Sequence, residues 1–264
     1  MMTSIAKKSL VIFCAIFLTV QLYAQSAANV TDSLGKKQGT WIKYDESKKK
    51  VYEGNFVNDI PQGKFVYYSN TGKPRAITVF SQNGRVGYSK HINEAGKTVG
   101  EGKYIDQKKD SLWKFYDESG KIISEDRYLN GVKNGRSKVY YSNGQISEEK
   151  GWLNGVADGP YTKYFENGQI KQQGQYVKDK AEGKTKFYFP SGKIGVDGAY
   201  KDDLKEGTWI HYNEDGTVKK KLVYVNGKST EKEKPLMTKE EEEKAKKQYE
   251  NSDKQSGNPE FEPK

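Results

Sequence analysis

Four glutamates, Glu53, Glu101, Glu125 and Glu149, fall in one column at multiples of 24 residues. Two carboxylates held about 5–10 Å apart are the machinery of glycoside hydrolysis, one as acid and the other as nucleophile or base. Copies one repeat apart on paired strands would stand about 10 Å from each other, at the far end of that range. The recurrence fits better a structural column in which each carboxylate meets a lysine on the facing strand. Two histidines, His91 and His211, share another column but lie five repeats apart, too far to share a metal or relay a proton. Gly72-Lys73, Gly96-Lys97, Gly120-Lys121 and Gly192-Lys193 look like phosphate-loop pairs. They lack the G-x-x-x-x-G-K-[ST] frame and sit in turns, not ahead of a helix. The one cysteine, Cys14, lies in the N-terminal apolar segment, leaving no thiolate metal site or cysteine nucleophile beyond it. The expectation is a non-enzymatic chain with no catalytic residue, no metal and no cofactor.

The elements that position these residues form a repeat. Gly39, Gly63, Gly87, Gly135, Gly159, Gly183 and Gly207 are spaced by multiples of 24, with Ser111 at the remaining start. Nine residues after each start stands a second glycine, from Gly72 to Gly216, except in the first copy, which has Lys48. Five residues after the starts come Tyr44, Tyr68, Ile92, Tyr116, Tyr140, Tyr164, Tyr188 and Tyr212. Seventeen after, an aromatic occurs eight times in eight, from Phe56 to Tyr224. Four columns in phase from Gly39 to about residue 230 define eight tandem repeats.

Each repeat reads as a β-hairpin. In the copy starting at Gly159, residues 160–165 have strand propensity, Asn167-Gly168 reads as a type I′ turn, and 170–177 return. Asn130-Gly131, Asn154-Gly155 and Asn226-Gly227 supply second turns, giving some 16 strands. Only 34% of residues are hydrophobic while 12% are aromatic, too little aliphatic material for one thick core. Hairpins joined by short turns make antiparallel neighbours, and a fixed period makes a quasi-one-dimensional array. The predicted fold is all-β: an elongated single-layer antiparallel β-sheet of tandem 24-residue hairpin repeats, braced by aromatic ladders, with a short C-terminal helix and a disordered tail.

Gly39-Thr40-Trp41-Ile42-Lys43-Tyr44 with Glu53-Gly54-Asn55-Phe56, and Glu101-Gly102-Lys103-Tyr104, resemble the bacterial variant of the MORN repeat over about three quarters of the chain. The resemblance implies a single-layer sheet of hairpins. It also implies a binding, membrane-associating or scaffolding role, or an antitoxin-like one. Repeats two and three depart from the pattern: Ile77-Thr78 replaces Glu-Gly, Ile92 replaces Tyr, and Ser89 replaces the strand aromatic. An irregular or specialised middle is expected there.

The ends differ from the repeats. Residues 1–24 carry Lys7-Lys8, an apolar run from Leu10 to Val20, and Ala24 before a polar stretch, the order of a cleavable signal peptide. The run is short for a spanning helix, so no transmembrane segment is expected after cleavage. Phe13 ahead of Cys14 does not fit a lipidation site. Residues 25–38 read as a linker or half-repeat cap, 39–230 as the repeats, and 231–264 as a charged linker, a helix over 239–249 and a tail. Asp32-Ser33-Leu34 and Asp110-Ser111-Leu112 resemble bacterial O-glycosylation acceptors, Ser111 being placed in a turn.

Without Lys7 and Lys8 the chain carries 43 basic and 35 acidic residues, and since residues 229–264 have 8 Lys and 10 acids, the repeats hold an excess of about ten positive charges. Export to the periplasm, outer envelope or medium argues against nucleic acid as a partner. It leaves a protein or an anionic envelope component, lipid headgroup or glycan. The candidate binding face is Trp41, Tyr44, Tyr68, Trp113, Tyr116, Tyr140, Tyr164, Tyr188, Trp209 and Tyr212. An envelope binding or scaffold module is the leading expectation. A toxin-neutralising protein and a wall-glycan hydrolase acting through the glutamate column are the alternatives.

Overall fold

A computed structural model describes residues 27–230 together with Glu243, Lys244 and Lys247. The expected signal segment and C-terminal tail lie outside the described residues. So does most of the expected 239–249 helix, within which the three described residues are helical and exposed.

The repeats form one open antiparallel sheet in which every strand pairs with its neighbours in sequence. Repeat one runs out along Lys37–Tyr44 and back along Lys50–Val57; repeat two uses Ile60–Tyr68 and Pro74–Ser81. Repeat three uses Val86–Ile92 and Thr98–Ile105, and repeat four Lys108–Tyr116 and Ile122–Leu129. In repeats five and seven the outgoing strand is split, into Val132–Lys133 with Gly135–Tyr140 and Lys180–Ala181 with Gly183–Tyr188. Their return strands are Ile146–Leu153 and Ile194–Lys201. Repeats six and eight use Val156–Tyr164 with Ile170–Val177 and Leu204–Tyr212 with Val218–Val225. The two splits, and short strands Val30–Thr31 and Lys228–Ser229 at the ends, make 20 strands where 16 were expected.

The two turns of a repeat differ in kind, and the reading of the first needs correction. In the first turn a single residue has positive φ, the glycine as at Gly168 (φ 82°) or, in repeat one, Lys48 (φ 60°), while Asn167 stays on the negative side. The Gly168 amide donates to the Phe165 carbonyl at 2.8 Å, and the Phe165 amide to the Gln169 carbonyl at 2.8 Å. This is a type I turn closed by a left-handed glycine, not the type I′ turn that Asn-Gly suggests. The second turns are the two-residue I′ type, with positive φ at both positions, as at Asn130 (52°) and Gly131 (91°). Ser111 is another correction: it lies inside a strand, at φ 61°, in the backbone role of the starting glycines.

Two departures from the pattern at repeats two and three leave the ladder intact, with pairing continuous from Ala76↔His91 to Ser81↔Val86. The irregularity is in the connection, where Gln82, Asn83 and Gly84 all have positive φ and Gly87 does not.

The core is built on one column of one face, two residues after each start, with Phe56, Leu222 and Tyr224 buried beside it. The column reads Phe65, Ser89, Trp113, Ser137, Tyr161, Thr185 and Trp209 from repeat two to eight, each 6% exposed or less. Aromatic and small hydroxyl residues alternate. A large ring needs room on the facing strands, and glycine supplies it: a Cβ on Gly54 would lie 2.4 Å from the Phe65 ring, on Gly102 2.4 Å from Trp113, and on Gly198 2.3 Å from Trp209. The backbone does not follow this alternation: a two-residue register shift falls between return and outgoing strands at 53/55, 102/103, 150/152 and 197/199, and the same shift separates the two pieces of the split strands of repeats five and seven. In its buried side chains, from repeat two onward, the unit is two repeats.

Successive hairpins are tied along the first-turn rim by side chains reaching the next repeat's carbonyls. Lys73 Nζ donates to Glu94 O at 2.7 Å, Lys121 Nζ to Ser142 O at 3.0 Å, and Asn143 Nδ2 to Glu166 O at 3.2 Å. At the first edge of the sheet Asn29 acts as a clamp. Its amide donates to Thr40 O at 2.8 Å, its Nδ2 to Ile42 O at 3.1 Å, and its Oδ1 accepts from the Ile42 amide at 2.7 Å.

Candidate binding faces

Side chains alternate across a strand, so offsets of two and five from a repeat start point to opposite sides. The tryptophans Trp41, Trp113 and Trp209 lie on one face. Tyr44, Tyr68, Tyr116, Tyr140, Tyr164, Tyr188 and Tyr212 lie on the other. The structure does not bring them together as one binding face. Trp113 and Trp209 are 0% and 2% exposed, which removes them as partner contacts; they brace the sheet.

On the tyrosine face four hydroxyls are tied to the carboxylate column of the preceding repeat, a partner that sequence reading missed. Tyr68 Oη donates to Glu53 at 2.7 Å, Tyr116 to Glu101 at 2.7 Å, Tyr140 to Glu125 at 3.1 Å and Tyr164 to Glu149 at 3.2 Å. Tyr188 donates to Gln173 at 2.8 Å, where the column changes residue. Register-paired lysines complete the set: Lys90–Glu101 at 3.3 Å, Lys114–Glu125 at 3.9 Å and Lys138–Glu149 at 3.6 Å. The expected cross-strand lysine partners are present for these three; Glu53 instead pairs with Lys50 of its own strand at 2.8 Å. Burial alone would raise the Glu101 pKa, but the Tyr116 hydrogen bond and Lys90 outweigh it and hold the carboxyl below its ordinary value. Burial and the same carboxylate push the Tyr116 phenol well up. A hydrolytic acid needs a raised pKa; Glu101 and Glu53 are shifted the other way.

The opposite face carries rings along the sheet. Phe56, Phe65 and Phe80 meet edge-on at 5.2 and 5.0 Å, Tyr104 meets Trp113 at 4.9 Å, and Tyr200 meets Trp209 at 5.1 Å. Lysines four residues before the tryptophans lie over the rings: Lys37 at 4.9 Å from Trp41, Lys109 at 4.7 Å from Trp113 and Lys205 at 4.8 Å from Trp209. Burial lowers the Lys109 pKa, with Asp126 opposing that shift. Asp126, 2% exposed, forms an ion pair with Lys133 at 3.0 Å, although Oδ2 gains no well-directed hydrogen bond. His91 packs edge-on to Trp113 at 5.3 Å, with its Nε2 at 3.2 Å from the Tyr104 hydroxyl. Burial pulls its pKa down to about 4, so the ring is neutral at pH 7.

Among the described residues no group of three or more His, Cys, Asp or Glu could hold a metal ion. None of the described helices is long and apolar enough to cross a membrane.

The sequence model of the MORN repeat variant matches residues 37–58, 109–130, 133–154, 157–178, 181–202 and 205–226, together half of the chain. The chain belongs to the MORN-repeat-variant family. The gap in the match, 59–108, spans repeats two and three of this MORN-variant chain, where the connection is irregular. No curated protein matches it. Among solved structures it is similar to TarM, at 16% identity over 36% of this chain and 19% of that one, TM-score 0.29. It is also similar to a GtfA/B complex bound to UDP and GlcNAc, at 11% over 42% and 22%, TM-score 0.20. A Photorhabdus luminescens Tc holotoxin pore gives 12% over 71% and 13%, TM-score 0.22. The chain spans about a fifth or less of those proteins' lengths, and likenesses this slight bear on neither fold nor function.

Proposed function

We propose that this MORN-variant chain is an exported, non-enzymatic binding or scaffold module of the cell envelope, and that it engages its partner through the aromatic face. The observation that carries the reading is the division of labour between faces. The carboxylates that could do chemistry are occupied as braces by tyrosine and lysine from neighbouring strands. The other face offers the partly exposed rings of Trp41, Tyr104, Tyr128 and Tyr200 beside the buried tryptophans, with lysine heads over the array. The signal-like order of residues 1–24 supports export. The repeats' positive excess suits an anionic envelope surface as well as a protein.

The test is a cross-linking pull-down from the source envelope fraction with tagged residues 25–264, at low and high salt. A partner recovered repeatedly, and lost when the lysines over the rings are replaced together (Lys37→Ser, Lys109→Ser, Lys205→Ser), supports the reading. Turnover of a wall glycan that disappears with Glu101→Gln and Glu125→Gln would overturn it.

A further inference from the structure

The lysine column over the rings has gaps. Four residues before Phe65 stands Pro61, and the next member, Arg85, turns away to Asp106, with Nε–Oδ1 at 3.2 Å. Nothing cationic lies over Phe65, and a groove of about 590 Å3 opens there, inside the ~300–1,000 Å3 range of small-ligand sites. Its floor is aromatic: the partly exposed rings of Tyr52, Tyr67 and Phe80 line it around the buried Phe65. Its rim is the irregular connection and the turns beside it, bearing Asp59, Arg85 and Asp106. One wall is closed tightly: Gly84, at φ 75°, comes so close to Pro61 that a Cβ would lie 2.8 Å from the proline Cδ. Only this junction has the longer connection, and it lies in the segment that the family pattern omits.

We propose that this groove is a binding site for an uncharged oligosaccharide. A pyranose has a flat face of C–H groups and an edge of hydroxyls. The face stacks on an aromatic floor, and the hydroxyls need planar polar groups that accept and donate in pairs, which carboxylate and guanidinium do. Charge selects the neutral class. The lining sets Asp59 and Asp106 against Arg85, which is itself paired with Asp106. A sulfated or phosphorylated chain finds no net cation there. The proposal rests on the binding-module reading and names one ligand class for one stretch of the same face.

The test is an NMR titration of residues 25–264 with cellohexaose, chitohexaose and maltohexaose, each up to about 10 mM. The expected result is saturable shifts confined to the residues around Tyr52, Tyr67, Phe80 and Arg85 for at least one sugar, with Tyr67→Ala weakening it about tenfold or more. Pro61→Lys, which restores the residue that repeats one, four, five and eight carry, should abolish binding while leaving the remaining spectrum in place. Absence of shifts with all three sugars, saturation only by a sulfated oligosaccharide, or undiminished binding by Pro61→Lys would overturn the proposal. Pull-down of the envelope partner by Pro61→Lys as by the unaltered chain, with no sugar shifts, would sink the groove and leave the broader reading standing.

Discussion

The hydroxyl of Tyr116 donates to the carboxylate of Glu101 across 2.7 Å, binding repeat four to repeat three. Net hydrogen bonds to charged groups contribute about 1.5–3 kcal/mol. Glu101 is partly exposed, so Tyr116→Phe is expected to lower stability by about 1–2 kcal/mol. Urea unfolding followed by tryptophan fluorescence checks this, and an unchanged midpoint would show the hydroxyl to be idle. Glu101 and Glu53 have depressed pKa values. Their contribution is present above the unfolded carboxyl value of about 4.3 and lost as pH falls through the lower folded values.

Gly198 has no space for a side chain, because a Cβ would lie 2.3 Å from Cδ2 of Trp209. Gly198→Ala is expected to cost about 2 kcal/mol or more through overpacking. Trp209→Ser brings in the residue found at Ser89 and Ser137 in the same column, so the alanine should then cost far less. A double-mutant cycle measures the coupling. Simple additivity of the two changes would contradict the close packing.

His91 titrates inside the aromatic face. Its folded pKa of about 4 lies below the unfolded value, so the unfolded chain takes up the proton first. Stability from this residue is complete above about pH 6.5 and falls as pH drops from there to about 4, by roughly 3 kcal/mol at most. His91→Phe, using the residue at Phe115 and Phe187, should flatten that stretch of the pH–stability curve. Urea midpoints at pH 7, 5.5 and 4.5 decide it; parallel losses in both proteins would assign the effect elsewhere.

Removal of residues 135–182, two whole repeats, joins Asn134 to Gly183 and sets Thr185 where Ser137 stood. The aromatic–hydroxyl alternation survives, and the shortened protein should unfold cooperatively at a urea midpoint near that of the full chain. Removal of 135–158 alone joins Asn134 to Gly159 and brings the Tyr161 ring into the slot that a serine fills. That protein should unfold at a clearly lower midpoint. Equal midpoints would mean that single repeats are interchangeable.

The period, the strands and the lysine partners of the glutamates were legible because each depends on short-range spacing. The double period was not. Ser89 looks like drift when read alone, and becomes a rule only beside Ser137 and Thr185, when their burial is known. The tyrosine–glutamate bonds join residues 15 apart on strands whose register is set by a bulge that no single column reveals. The misread first turn has a simple cause: Asn-Gly favours type I′ in a two-residue loop, but the hydrogen bonds here close a longer one around a single left-handed glycine. The division of tryptophans and tyrosines between faces follows from offsets of two and five. It was available to parity alone and was lost in grouping residues by type.

Asn29 occupies the backbone groups of Thr40 and Ile42 that a neighbouring strand would use. A sheet with two open ends can lengthen without limit by stacking copies end to end, as fibrils do. With Asn29 on Thr40 and Ile42, and Val30–Thr31 paired to Gln38 and Lys37, much of the first edge is already taken, so a strand of another copy finds fewer free groups there than along an open edge.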